Sequence, residues 1–262
     1  MNTEPTPPAS SKNLSNQSVL ITGATGGIGR AVAMELATAG AKLVIHGNRN
    51  LQRLDVLLQD LKNRNVDAQK IVADLSDARQ RHRMTEETFR FMEDWNVAVF
   101  AAGLDLMSAE IKQKNFTEKF DLLMQVDVAG AIEPARNFAE TLVGNNRTGT
   151  IILFGWDGVE HGMAGETATL YTLAKGALHA ATRSLAKTYA PHVRLLCVAP
   201  GWIKTTWGEN APEYIDKCVQ EESLSGRWGT AEEVARLVRF LISDDAAYIN
   251  GQIITINGGR GK

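Results

Sequence analysis

The 262-residue chain is poor in several things, and each shortage removes a class of function. It has two cysteines, Cys197 and Cys218, with no metal-ligand spacing between them; Cys197 lies in an apolar run and reads as a buried free thiol. Five histidines fall in no HExxH-like pattern, so no metal site is expected. No apolar run reaches the roughly 18–20 residues of a membrane span. A net charge of −2 offers no basic surface for nucleic acid or an anionic membrane. The opening MNTEPTPPASSKNLSNQ is polar and Pro/Ser-rich and lacks the basic-then-apolar order of a secretory signal. Residues 1–17 are therefore expected to form a disordered tail, and the cytoplasm is the default location.

What remains is 44% hydrophobic and 22% charged, the balance of a soluble domain with a sizeable core. Short apolar runs alternate with helical patterns. SVLITG, AKLVIHG, AQKIVADL, WNVAVFAAG, GTIILFG, VRLLCVAPG and GQIITING read as strands. Between them lie helical stretches, including a long one over Asn115–Val143 and another over Thr169–Tyr189. Strands apolar on both faces, each followed by a helix, predict an α/β fold. That fold is a doubly wound, Rossmann-type parallel sheet of about seven strands with helices on both faces. With no repeat or linker, residues 18–262 read as one domain, with a lid at about 202–227. Ligands of such sheets bind at the carboxyl ends of the strands.

Two stretches carry chemistry. TGATGGIG (22–29) joins the first strand to the first helix, and its glycines let a pyrophosphate approach the backbone and the helix N-terminus. Tyr171 and Lys175 lie four apart on a helix and share a face. An ammonium near a phenol favours the phenolate, which would lower the Tyr171 pKa and make it a proton donor near neutral pH. Such a pair usually works with a nearby hydroxyl, yet FGWDGVEHGMAGETATLYTLAK (154–175) contains no serine. Thr167 and Thr169 are expected at the helix start, where their hydroxyls would serve as caps.

The chain resembles the short-chain dehydrogenase/reductases. TGATGGIG, ADL (73–75), AAG (101–103), YTLAK (171–175), PGWIKT (200–205) and GQIITINGG come in that family's order and spacing. The resemblance implies that Gly23, Thr25, Gly27, Ile28 and Gly29 wrap the pyrophosphate and adenosine ribose. It places Asp74 and Leu75 at the adenine, Ala102 and Gly103 along the cofactor cleft, and Lys175 on the nicotinamide ribose. Pro200, Gly201, Ile203 and Thr205 would hold the nicotinamide. Tyr171 would supply the proton for interconversion of a carbonyl and an alcohol by hydride transfer, tuned by Lys175. The second strand ends in His46, Gly47, Asn48 and Arg49 with no acid for a ribose 2′-OH, so Arg49 suggests NADP, with NAD possible. A small-molecule substrate and a homo-oligomer, dimer or tetramer, are also implied.

Three family motifs are altered. Trp156 or Gly158 stands where the family has its substrate-binding Ser, in a segment about two residues longer than usual. Trp156 offers one N–H donor and no acceptor, while an ionised Asp157 would repel an oxyanion. Asp127 replaces the proton-relay Asn, and either holds water or serves as a charge partner. Phe100 and Ala101 replace two Asn, an exchange expected to loosen the fourth strand. Trp202, Trp207 and Tyr214 in the lid, with Met163, suggest an apolar pocket or packing of the lid onto the body. An alternative reading of these departures is a nucleotide-binding protein with weak or no catalysis.

Overall fold

The computed structural model describes residues 13–205 and 213–259. It contains β1 (Ser18–Thr22), α1 (Gly27–Thr38), β2 (Lys42–Gly47), α2 (Leu51–Asn63), β3 (Ala68–Val72), α3 (Ala78–Phe91), β4 (Val97–Phe100) and α4 (Ala109–Lys112). Next come α5 (Phe116–Leu123), α6 (Gly130–Gly144), β5 (Gly149–Phe154), α7 (Glu166–Tyr189), β6 (Val193–Pro200) and the short β7 (Ile203–Lys204). A helix at Glu213–Glu222, the short β8 (Gly229–Thr230), a helix at Ala231–Ile242 and β9 (Ile253–Ile256) complete the order.

The main sheet has seven strands in the order β3-β2-β1-β4-β5-β6-β9, each neighbouring pair parallel. Side chains alternate across it, as a period of two requires. Val19 and Ile21 of β1, Leu43 and Ile45 of β2, and Val97 and Val99 of β4 join a core under α1, α2 and the Ala231–Ile242 helix. Leu20, Val44, Ala98 and Phe100 point to the opposite core, under α3, α6 and α7. A third apolar cluster gathers Leu104, Leu106 and Ile111 after β4 with Leu123 of α5 and Leu170 and Ala174 of α7. The strand order reverses between β1 and β4, so the crevice for a ligand opens at their carboxyl ends.

Several local expectations are corrected. Residues 13–17 fall within the expected tail yet belong to the body, because Leu14 buries its side chain and donates its N–H to Ala39 O at 2.7 Å. Residues 1–12 lie outside the described ones. The long helix over 115–143 contains a π-helical stretch at Met124–Ala129, a widened turn that re-aims Asp127. Helix α7 starts at Glu166 behind Gly165, whose φ of +110° suits glycine. Thr169 therefore does not cap it and donates its Oγ1–H back to Gly165 O at 3.0 Å. The fourth strand is not loosened: Phe100 is 2% exposed and in register with Thr22 and Leu153.

Candidate active site

The β1–α1 turn is built on contacts that exclude side chains. Gly23 has φ +67°, and a Cβ there would lie 2.6 Å from Ala102 Cα at the end of β4. A Cβ on Gly29 would lie 2.3 Å from Gly23 O, and one on Gly27 2.9 Å from the Thr205 side chain. The turn thus seats the first amides of α1 against the end of β4 and against the segment after β6. It leaves a cleft of about 470 Å³, lined by Gly23, Thr25, His46, Arg49, Asp74 and Leu104 among others. Exposed first-turn amides and the positive end of a helix dipole face an anion at such a turn, so the residues present fit a dinucleotide pyrophosphate.

His46, which stands where an acid was sought, has a different task. Its Nε2 lies 2.9 Å from Ala73 O and its Nδ1 lies 3.3 Å from Gly23 N. The backbone N–H of Gly23 can only donate, so Nδ1 accepts and Nε2–H donates to Ala73. The neutral imidazole ties the glycine turn to β3. Burial is the main cause that pushes its pKa down to about 4, against smaller opposing effects of Ala73 and Asp74. Asp74 and Leu75 line the same cleft, and Asp74 Oδ1 accepts from Ser76 N at 2.9 Å and Ser76 Oγ at 2.8 Å. Arg49 also lines it, with Nη1 3.3 Å from Glu110 Oε2. Ala102 and Gly103 line the cleft, with Ala102 N donating to Thr22 Oγ1 at 3.2 Å.

At the other end of the site the sequence reading needs revision. Lys175 does not sit against the Tyr171 hydroxyl. Its ammonium lies 2.9 Å from Asp127 Oδ2, off the alignment of a hydrogen bond, with Lys175 8% and Asp127 1% exposed. Asp127 Oδ1 accepts from Leu104 N at 2.7 Å, and the Tyr171 hydroxyl donates to Leu104 O at 2.9 Å. Both backbone groups of one cleft-wall residue are thus held by candidate catalytic side chains. Burial first, then the charges of Asp127 and Asp105, push the Tyr171 phenol above its ordinary value instead of below it. The physical reason is the relay position itself, where a carboxylate takes the ammonium that a neutral Asn would have left to the phenol.

Trp156 follows β5, with its ring centroid 6.3 Å from that of Tyr171 and the planes at 57°. Its six-membered ring covers Gly158, where a Cβ would lie 2.5 Å from Trp156 Cζ2. Among the described residues the indole N–H has no hydrogen-bond partner. Asp157 turns away to accept from Asn257 Nδ2 at 3.1 Å, tying this loop to the end of β9. Pro200 ends β6, Gly201 follows it, with a Cβ there 2.5 Å from Asn257 Cβ, and Ile203 opens β7. Trp202 and Trp228 meet edge-on at 5.8 Å, and their indoles donate to Glu222 at 2.9 Å and Asp216 at 2.7 Å. In the lid these aromatics pack its helix onto the body; Trp207 and the Tyr214 side chain lie outside the described residues.

Sequence reasoning missed the clamp role of His46, the Leu104 carbonyl, and Asp105 and Glu110. Only the apolar spacing of Leu104, Leu106 and Ile111, which folds this segment onto α5 and α7, signalled that it closes the site. Cys197 is free and buried, and burial pushes its thiol up to about 11, so it is not a nucleophile. Among the described residues no cluster of His, Cys, Asp or Glu is placed to hold a metal ion. No described helix is long and apolar enough to cross a membrane.

Comparison with known proteins bears on this site. Residues 23–260 match the family model described as enoyl-(acyl carrier protein) reductase. The chain is 32% identical over 254 residues to a tropinone reductase homolog of Arabidopsis thaliana, covering 94% of this chain and 93% of that protein. It is 31% identical over 244 residues to a 3-oxoacyl-(acyl-carrier-protein) reductase of Aquifex aeolicus, covering 92% and 95%. A glucose 1-dehydrogenase of Gluconobacter oxydans is 30% identical over 247 residues, with 92% and 90% covered. A crystal structure of a short chain dehydrogenase from Burkholderia cenocepacia in complex with NADP is similar with a TM-score of 0.85. It covers 94% of this chain and 98% of that one at 24% identity, which speaks to the fold.

Proposed function

The chain belongs to the short-chain dehydrogenase/reductase family, and we propose that it is an NADP(H)-dependent oxidoreductase interconverting a small-molecule carbonyl and alcohol. When bound, the dinucleotide supplies or accepts the hydride. The observation that carries the reading is the convergence on Leu104, where Tyr171 and Asp127, with its partner Lys175, meet the wall of the nucleotide cleft. Gly23, Thr25, Gly27, Ile28 and Gly29 would hold the pyrophosphate side, Asp74 and Leu75 the adenine. Ala102 and Gly103 would line the middle, and Pro200, Gly201, Ile203 and Thr205 the nicotinamide side. Arg49 at the rim, and the NADP named for the similar crystal structure, support the phosphorylated cofactor.

Tyr171 is the proton donor in this reading, and its raised pKa keeps it protonated near neutral pH. A phenol that holds its proton tightly still gives it to an alkoxide-like oxygen, a far stronger base than phenolate. Little of it is ionised near neutral pH, so alcohol oxidation, which needs the phenolate, is expected to gain rate in the alkaline range. The free Trp156 indole N–H is the donor available to the carbonyl oxygen in place of a serine. Exposed Phe116 on α5 and Leu173 on α7, with small Gly176, Ala177, Ala180 and Ala181 along α7, support a homo-oligomer. The cytoplasm is the proposed location.

A second reading, nucleotide binding with little turnover, is favoured by one observation: in this arrangement Leu104 occupies the Tyr171 hydroxyl and Asp127 the Lys175 ammonium. NADPH consumption across a panel of aldehydes and ketones separates the two. Turnover that vanishes in Tyr171→Phe while NADPH affinity holds supports the reductase; NADPH binding without turnover by the wild type supports the second reading.

A further inference from the structure

We propose that Glu110 sets how strongly the chain discriminates between the two nicotinamide dinucleotides, by competing with a 2′-phosphate for Arg49. The inference rests on reading the cleft as a dinucleotide site and names a determinant of that site's selectivity. Arg49 lies in the β2–α2 turn, lines the cleft, and is followed by Asn50, which caps α2 by accepting from Arg53 N at 3.0 Å. Glu110 comes from α4, on the segment that closes the far side of the cleft. Their contact, 3.3 Å from Nη1 to Oε2, therefore reaches across from one wall to the other.

Both ends of this bridge are anchored. Ile111, next to Glu110, is fully buried in the third apolar cluster, and Ser108 Oγ donates to Asp105 O at 2.8 Å at the start of α4. The two charged side chains are 62% and 67% exposed, so the bridge is weak and exchangeable, not structural. Its chemistry bears unequally on the two cofactors. A 2′-phosphate that recruits the Arg49 guanidinium takes it from Glu110 and brings its own negative charge towards a carboxylate. A 2′-hydroxyl makes no such demand. The end of β2 carries Gly47 and Asn48 where an acid usually enforces selection against the phosphate, so the opposing acid is supplied here by a different element.

The test is calorimetric binding of NADP+ and of NAD+ to the full chain, wild type and Glu110→Gln. Glu110→Gln is expected to tighten NADP+ by about two- to fivefold, the range of an exposed ion pair, with NAD+ unchanged. The gain is expected to shrink at high salt. A Glu110→Gln protein whose ratio of NADP+ to NAD+ affinity equals that of the wild type, or moves towards NAD+, would overturn the proposal. Equal affinity of the wild type for both dinucleotides would sink the NADP preference alone, because Glu110 is judged by the change in ratio. Binding of neither dinucleotide by the wild type would overturn both.

Discussion

Replacing Asp127 by Asn tests the arrangement around Tyr171 most sharply. The carboxylate is 1% exposed and holds two partners, Leu104 N at 2.7 Å through Oδ1 and Lys175 Nζ at 2.9 Å through Oδ2. Asn has one acceptor oxygen and keeps only one of them. Leaving the Lys175 ammonium without its buried partner costs about 3–5 kcal/mol, a large part of the roughly 5–15 kcal/mol that holds a domain together. The variant is thus destabilised but expected to fold. Its chemistry changes in a defined direction. Asp127 is the second cause, after burial, of the raised Tyr171 pKa. Removing that charge and freeing the ammonium lowers the phenol pKa. A neighbouring charge is worth about 1–3 units, and the lower part of that range applies because burial remains. One to two units multiply the phenolate fraction at a given pH by about 10 to 100. The assay is alcohol oxidation with NADP+ across the alkaline range, with thermal unfolding as the control for folding. The rising limb of the profile is expected to move to lower pH by about one to two units, while carbonyl reduction near neutrality does not gain. A folded Asp127→Asn protein whose limb stays at the wild-type position would refute the assignment of Asp127 as the group that withholds Lys175 from Tyr171.

Three further outcomes are expected. His46 has a folded pKa of about 4 against 6.5 for the free side chain, so the unfolded chain takes up the proton first as the pH falls. Its contribution is fully present above pH 6.5 and is lost as the pH drops towards 4, by about 3 kcal/mol in all; urea unfolding over that window should show this slope in the wild type and a flatter one in His46→Gln. Trp156→Phe keeps the ring and loses the N–H, and is expected to lower kcat by about 10²–10³ with little change in melting temperature; unchanged kcat would make the indole a filler. Gly23→Ala places a methyl 2.6 Å from Ala102 Cα at φ +67° and is expected to cost at least about 2 kcal/mol and abolish dinucleotide binding, read by denaturation and calorimetry.

Much of the fold was legible because it depends on periods that a sequence displays. Alternation of strand and helix, both-sided apolar strands and the glycine turn predict the parallel sheet, while its strand order comes from the structure. Boundaries were less legible. The π turn at 124–129 adds one residue to a helical turn without marking it in the apolar pattern, and Thr169 looked like a cap while bonding within the helix. The residues of the candidate site were readable one by one, but their pairing was not. Tyr171 and Lys175 share a helix face, which implied mutual contact, yet Lys175 turns to Asp127, more than forty residues earlier in the chain. His46 could be placed at the end of its strand, but its hydrogen bonds to Gly23 and Ala73 depend on the packing of three elements. Glu110 and Arg49 are 61 residues apart, and only the folding of the segment after β4 brings them together.

The most direct measurement follows the hydrogen itself. NADPH deuterated at the transferring position of the nicotinamide is incubated with a reducible ketone and the protein, and the product is examined by mass spectrometry. The account predicts one deuterium on the carbinol carbon for each NADPH consumed, and loss of that product in Tyr171→Phe. Unlabelled alcohol, or labelled alcohol formed equally well by Tyr171→Phe, would contradict it.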